Sequence, residues 1–279
     1  MIDREQLGPV LGPLLGAPIA LEVLKDKPGR RATMRARGSR RSAIVKTYAS
    51  QRAATVAARV RGVAGGPGEP VVPEVLLLDE ALHLVVLSEV PGEPLTRSLT
   101  SGDRHACARA GAALGAWHVA WRGTAPAAHR PHTVAREIEI LEARLARTPP
   151  ELAATVRAAL PPLAHGDWGW STIVHRDLYE EQIMVGERIG LIDLDDSALG
   201  PPELDVGNLL GHLLLLERRT GADVAAVTAA FLDAYRDRAP GLDESLLERC
   251  RALTLLRLAC IHSEAALVDA AAARACRPG

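Results

Sequence analysis

A short hairpin set inside a helical stretch constrains this chain more than any other feature. The segment QIMVGERIGLID, 182–193, has two apolar runs flanking Gly-Glu-Arg, which reads as a tight hairpin. Helices are expected on both sides of it, near 103–121, 134–147, 150–159, 203–218, 221–237 and 243–275, the last one broken. Just before the hairpin, HRDLYEEQ (175–182) sets a histidine, an arginine and three carboxylates ahead of the first apolar run. The second run ends in LIDLDD. A hairpin places its two ends side by side on rigid backbone. It therefore ties the position of Asp193 to that of Asp177, sixteen residues earlier.

The chain ahead of residue 90 has a different period. Residues 18–25, 31–37 and 42–48 read as short strands joined by the turns DKPGR and RGSRR, where Pro presets φ and Gly accepts a positive one. Residues 51–63 read as a helix, GGPGEP at 65–70 breaks it, and 74–80 and 82–90 read as two more strands. VPGEPLT, 90–96, reads as a linker. The fold class expected is α+β, with a β-rich lobe over 1–90 and a larger helical lobe over 91–279.

Composition excludes several functions. With 279 residues and 48% hydrophobic content the chain can bury a substantial core. A net charge of −1 and 3% aromatic residues give no platform for nucleic acid. Cys107, Cys250, Cys260 and Cys276 form no CxxC pair and read as reduced thiols. The N-terminus has no basic-then-apolar leader pattern, and no apolar run approaches the roughly 18 residues of a membrane span. A soluble, cytoplasmic protein without membrane or nucleic-acid partners is expected.

The near-neutral total hides an asymmetry. Residues 22–64 carry twelve Lys/Arg against two acids, and residues 173–205 carry nine acids against two arginines. These are either two solvated faces, or a basic lobe for phosphates and an acidic one for a metal or a cationic substrate. Lys46 sits in the strand AIVKTYA, where a buried ammonium needs a reason. It reads either as an edge residue or as a phosphate ligand. Two carboxylates on a rigid hairpin suit phosphoryl transfer. One would accept the proton of an attacking hydroxyl. The other, with a side-chain carbonyl, would hold Mg²⁺ against the phosphates.

HRDLYEEQ resembles the catalytic loop of kinases, His-x-Asp with an amide residue five positions after the Asp. LIDLDDSALGPPELDVGNLL resembles the metal-binding block of the aminoglycoside phosphotransferases, small-molecule kinases with the protein-kinase-like two-lobed fold. The resemblance implies Asp177 as catalytic base, and Gln182 and Asp193 as Mg²⁺ ligands. It implies that Lys46 pairs with the phosphates of ATP or GTP, and that backbone around Glu89, Val90 and Gly92 meets the nucleobase. Asp205 would brace the catalytic loop. The implied acceptor is a hydroxyl on an aminoglycoside-like or other antibiotic or sugar metabolite, possibly cationic.

The sequence departs from that pattern in three places. Gln182 stands where Asn is usual. Only Gly29 marks the phosphate loop. The helix at 51–63 has no acid to pair with Lys46, and Glu69 or Glu74 are the substitutes at hand. These departures motivate the alternative of a nucleotide-binding pseudokinase acting as an interaction module. His165-Gly166-Asp167 imitates the catalytic motif without the amide residue that should follow. His118 reads as a core histidine. Cys260, His262 and Glu264 fall on different helix faces and do not read as a metal site. Glu180, Glu181, Asp195 and Asp196 read either as solvated loop acids or as readers of acceptor ammonium groups.

Overall fold

The computed structural model describes residues 4–64 and 70–275. It divides into two compact units. The first comprises Met1–Gly66, Val71–Pro91 and Gly190–Asp195, and the second comprises Pro67–Pro70, Gly92–Ile189 and Asp196–Gly279. The segment Gly190–Asp195, far along the chain, thus belongs to the first unit.

The first unit opens with α1 (Arg4–Leu15). Strands β1 (Ala20–Lys27), β2 (Arg31–Arg37) and β3 (Ser42–Tyr48) follow, then α2 (Arg52–Val63), β4 (Val75–Asp79) and β5 (Leu84–Ser88). The five strands make one antiparallel sheet in the order β1-β2-β3-β5-β4. Strand β3 is flanked on both sides, and its alternation decides which residues meet what. Ala43 and Val45 point into a cluster with Met34, Ala36, Leu84, Val86 and the α1 residues Leu7, Leu11 and Leu15. Lys46 and Tyr48 take the other face. Arg31 lies opposite Tyr48 in the β2–β3 register, so its side chain shares that face.

Helix α1 was not expected. Leu7, Leu11 and Leu15 recur at a helical spacing of four, but Gly8, Pro9, Gly12 and Pro13 between them read as breakers. Burial of all three leucines against the sheet outweighs that weak intrinsic preference.

The second unit is mainly helical. It holds β6 (Glu93–Pro94), α3 (Leu95–Ser101), α4 (Arg104–Ala120), α5 (Val134–Leu145), α6 (Pro150–Ala159), β7 (Thr172–Val174) and β8 (Ile183–Val185). The chain passes into the first unit within β9 (Ile189–Leu191) and returns for β10 (Ala198–Gly200), α7 (Pro202–Thr220), α8 (Ala225–Arg238), α9 (Glu244–His262) and α10 (Ala266–Ala275). The expected hairpin is present as β8 and β9. The expected linker at 90–96 instead carries β6, paired with β8, and the start of α3. β7 pairs antiparallel with β10, a short ladder that was not expected.

Side-chain caps begin three of the helices. Asp103 accepts from Ala106 N for α4, Thr133 from Arg136 N for α5, and Asp243 from Leu246 N for α9. The break expected within 243–275 falls at Ser263, which caps α9 in left-handed conformation. Two helix pairs pack at glycines. A Cβ on Gly111 of α4 would come 2.0 Å from the carbonyl oxygen of Phe231 in α8, and one on Gly207 of α7 would meet Arg251 N of α9 at 2.8 Å. No helix among the described residues is long and apolar enough to cross a membrane.

Candidate active site

In the first unit the residues of interest gather around Asp195. Lys46 Nζ lies 2.5 Å from Asp193 Oδ1 and 2.5 Å from Asp195 Oδ1. The other oxygen of Asp195 accepts from Tyr48 Oη at 2.8 Å and from Arg31 Nη1 at 3.2 Å. Arg59 of α2 donates to the Asp195 backbone carbonyl. Lys46 is 5% exposed, so it is a buried ammonium and not an edge residue. Burial alone would lower its pKa, but the charges of Asp195 and Asp193 outweigh it and hold the pKa above the ordinary value. Burial and the Asp195 charge push the Tyr48 phenol up, which keeps its proton available for donation.

Helix α2 therefore sends an arginine to this cluster, and the acid facing Lys46 comes from Asp195. Glu74, one of the two substitutes expected, is exposed, and Glu69 lies outside the described residues. Asp195 is neither solvated nor open to an acceptor. Asp193 has φ of +61°, a left-handed conformation that costs a non-glycine residue about 1–3 kcal/mol.

The stretch that was expected to meet a nucleobase is tightly held. Glu89 accepts from Arg35 Nε at 2.5 Å and from Ser42 Oγ, and Val90 is buried. Burial would raise the Glu89 carboxyl, but the bonds from Ser42 and Arg35 bring it below its usual value. In the second unit, Gly92 has φ of +132°, and a Cβ there would sit 2.9 Å from the Val185 carbonyl.

The catalytic-loop candidate in the second unit is organised by Asp205 at the start of α7. This fully buried carboxylate accepts from His175 N at 2.6 Å and Arg176 N at 2.7 Å, and it meets His118 Nε2 at 3.2 Å. His118 Nδ1 in turn is 2.7 Å from Tyr235 Oη, so the expected core histidine is satisfied on both nitrogens. One helical turn after Asp205, Asn208 donates to Leu178 O at 2.9 Å. The loop thus hangs from α7 by its own backbone. Arg176 adopts φ of +72° between these anchors and pairs with Asp196 at 3.3 Å.

Asp177 follows that strained residue with its side chain 45% exposed, within a loop whose His175, Leu178 and Gln182 are buried. Arg257 of α9 approaches it at 3.6 Å. The same guanidinium faces Glu137 at 3.8 Å and donates to Asn208. Burial would raise the Glu137 carboxyl. The hydrogen bond from His132 and the charges of Arg257, His132 and Arg176 bring it down to about 2. Asn208 carried a legible signal, since it lies three residues after Asp205 on the same helix face.

Gln182 ends a 3-10 helix, Glu180–Gln182. Its Oε1 is buried with no hydrogen-bond partner among the described residues. A buried orphan acceptor is rare in a folded protein and fits a cation ligand. The Gln182 carbonyl and the Asp193 carboxylate are hard oxygen donors suited to Mg²⁺. Among the described residues no group of three or more His, Cys, Asp or Glu side chains could hold a metal ion. Glu180 is buried, and burial raises its carboxyl above the usual range. Asp167 is exposed and accepts from Gly169 N. Three acids of the later helices are neutralised locally. Glu264 pairs with Arg218, Glu244 with Arg236, and Glu248 with Arg251 and Arg274.

Comparison with known proteins identifies the family and the fold. The model of the phosphotransferase enzyme family (APH) matches residues 27–253. A comparison with curated proteins found no match. Among solved structures, the chain is similar to amicoumacin kinase hAmiN in complex with AMP-PNP, Ca²⁺ and Ami. The TM-score is 0.69 at 16% identity, over 98% of this chain and 93% of that one. It is similar to a thermostable mutant of aminoglycoside phosphotransferase APH(4)-Ia (D198A), a ternary complex with ADP and hygromycin B. Here the TM-score is 0.66 at 16% identity, over 97% and 96%. It is also similar to spectinomycin phosphotransferase APH(9)-Ia in complex with ADP and spectinomycin, with a TM-score of 0.63 at 13% identity, over 92% and 87%. With the family model spanning most of its length, the chain belongs to the phosphotransferase enzyme family and has the protein-kinase-like fold of the small-molecule kinases it resembles.

Proposed function

We propose that this phosphotransferase moves the γ-phosphate of ATP or GTP to a hydroxyl of a small molecule, with Asp177 as the base. The observation that carries the reading is the suspended loop. Asp205 takes the backbone N–H groups of His175 and Arg176, which leaves the next carboxylate, Asp177, half-exposed on a fixed backbone. Fixing the base in advance lowers the barrier, because its orientation need not be found during the reaction.

In the reaction the acceptor oxygen forms a bond to the γ-phosphorus and its proton passes to a carboxylate oxygen of Asp177. The bond from that phosphorus to the bridging oxygen breaks, and the electron pair leaves with the nucleoside diphosphate. Lys46 meets the nucleotide phosphates with its fixed positive charge. Gln182 and Asp193 are the residues that would hold Mg²⁺, which supplies neutralisation of phosphate charge when bound. The backbone at Glu89, Val90 and Gly92 is the proposed nucleobase contact.

The similar structures contain amicoumacin, hygromycin B or spectinomycin. We therefore place the acceptor among antibiotic-like or sugar-like metabolites. The local pairing of Glu244, Glu248 and Glu264 removes much of the reason to require a polycation. The test is nucleoside diphosphate release with Mg²⁺, using ATP and GTP separately, against aminoglycosides, other amine-bearing antibiotics, nucleoside antibiotics and sugars. Acceptor-dependent release supports the reading. Nucleotide binding without release on any acceptor turns it toward a pseudokinase.

A further inference from the structure

We propose that Asp195 is the positioning residue for Lys46, standing in for the acid that α2 lacks. The proposal rests on the phosphotransferase reading of Lys46 as the phosphate lysine.

Asp193 and Asp195 both touch Lys46, but they differ in what else they can do. The Asp195 side chain is 2% exposed and that of Asp193 is 29% exposed. Asp195 spends one oxygen on Lys46 and the other on Tyr48 and Arg31, and Arg59 holds its backbone carbonyl. It is fixed on every side within the first unit and has no oxygen turned to a ligand. A buried carboxylate with three partners is a stationary anchor. Asp195 by itself keeps the buried ammonium of Lys46 paired. The anchoring depends on β3 and β2. Lys46 and Tyr48 are two residues apart on one face of β3, and Arg31 is the cross-strand neighbour of Tyr48. The usual arrangement, with the acid on the helix, is here reversed in sign, since the helix contributes Arg59.

The test is a double-mutant cycle on nucleotide affinity, with Asp195→Asn, Lys46→Ala and both together. Direct titration with AMP-PNP and Mg²⁺ is the readout, and circular dichroism checks that each variant folds. If Asp195 acts through Lys46, Asp195→Asn weakens binding about tenfold and the double variant is no worse than Lys46→Ala alone. Asp195→Glu restores part of the loss. Tyr48→Phe, which keeps the ring and removes only one bond to Asp195, weakens binding by a smaller factor in the same direction. Independent, multiplying losses would overturn the proposal, as would an Asp195→Asn affinity within twofold of the parent. The titration separates this proposal from the catalytic one. A parent protein that binds AMP-PNP but transfers no phosphate refutes the phosphotransferase reading and leaves the cycle readable. A parent that binds no nucleotide refutes both.

Discussion

Replacing Asp205 removes the support of the proposed catalytic loop, the backbone bonds at His175 and Arg176. The carboxylate is fully buried and accepts two backbone N–H groups at 2.6 and 2.7 Å, with His118 at 3.2 Å. Hydrogen bonds to a charged group contribute about 1.5–3 kcal/mol each, and removing one partner of a buried charged network costs about 3–5 kcal/mol. Arg176 adds to this, because its left-handed backbone is held by one of those bonds. Asp205→Ala should therefore lower unfolding free energy by about 4 kcal/mol, a large part of the 5–15 kcal/mol of a typical domain. Asp205→Asn keeps the shape but turns an N–H₂ group toward an N–H donor, and about 2–3 kcal/mol is expected. Urea denaturation, with the slope checked for constancy, measures both. A loss below about 1 kcal/mol for Asp205→Ala would refute the argument that the loop hangs from this carboxylate.

Other perturbations have expected outcomes of their own. Gly111→Ala forces a Cβ to within 2.0 Å of the Phe231 carbonyl oxygen, so α4 and α8 must separate, and a loss of about 1–3 kcal/mol is expected in the same urea assay. An unchanged midpoint would mean the two helices have room to spare. Glu137 has a folded pKa depressed to about 2, so its contribution is present above the unfolded value near pH 4.5 and is lost as pH falls toward 2. Glu137→Gln should flatten the pH dependence of unfolding across that window, by about 3 kcal/mol in total. Parallel acid profiles for parent and variant would show that the pairing with His132 and Arg257 carries no weight.

The architecture was legible wherever periodicity and turn chemistry agreed. β2 and β3 follow their alternation, and α4, α5, α6 and α9 begin within a residue of where the pattern starts. It was illegible where burial overrode local preference. The prolines and glycines between Leu7, Leu11 and Leu15 concealed α1, and the brief β7–β10 ladder has too few residues to show a period. The site divides similarly. Spacing across the hairpin singled out Asp177 and Asp193, an ammonium in an apolar strand singled out Lys46, and the resemblance to kinases implied their roles. The residues that hold them come from distant sequence. Asp195 reaches Lys46 across 149 positions, and Arg257 belongs to a helix far from the loop it touches. Spacing along the chain carries no trace of such contacts. Of the loop acids that read as solvated or substrate-reading, Asp195 and Asp196 pair with Lys46 and Arg176, Glu180 is buried and Glu181 is exposed.

The central claim is that Asp177 takes a proton during phosphoryl transfer. The measurement that tests it most directly compares parent and Asp177→Asn at saturating Mg²⁺-nucleotide and acceptor, following phosphorylated acceptor by mass spectrometry and titrating nucleotide in parallel. The account predicts a fall in turnover of about 10²–10⁴-fold with nucleotide affinity within a few-fold of the parent. Turnover equal to the parent, or lost together with nucleotide binding, contradicts it.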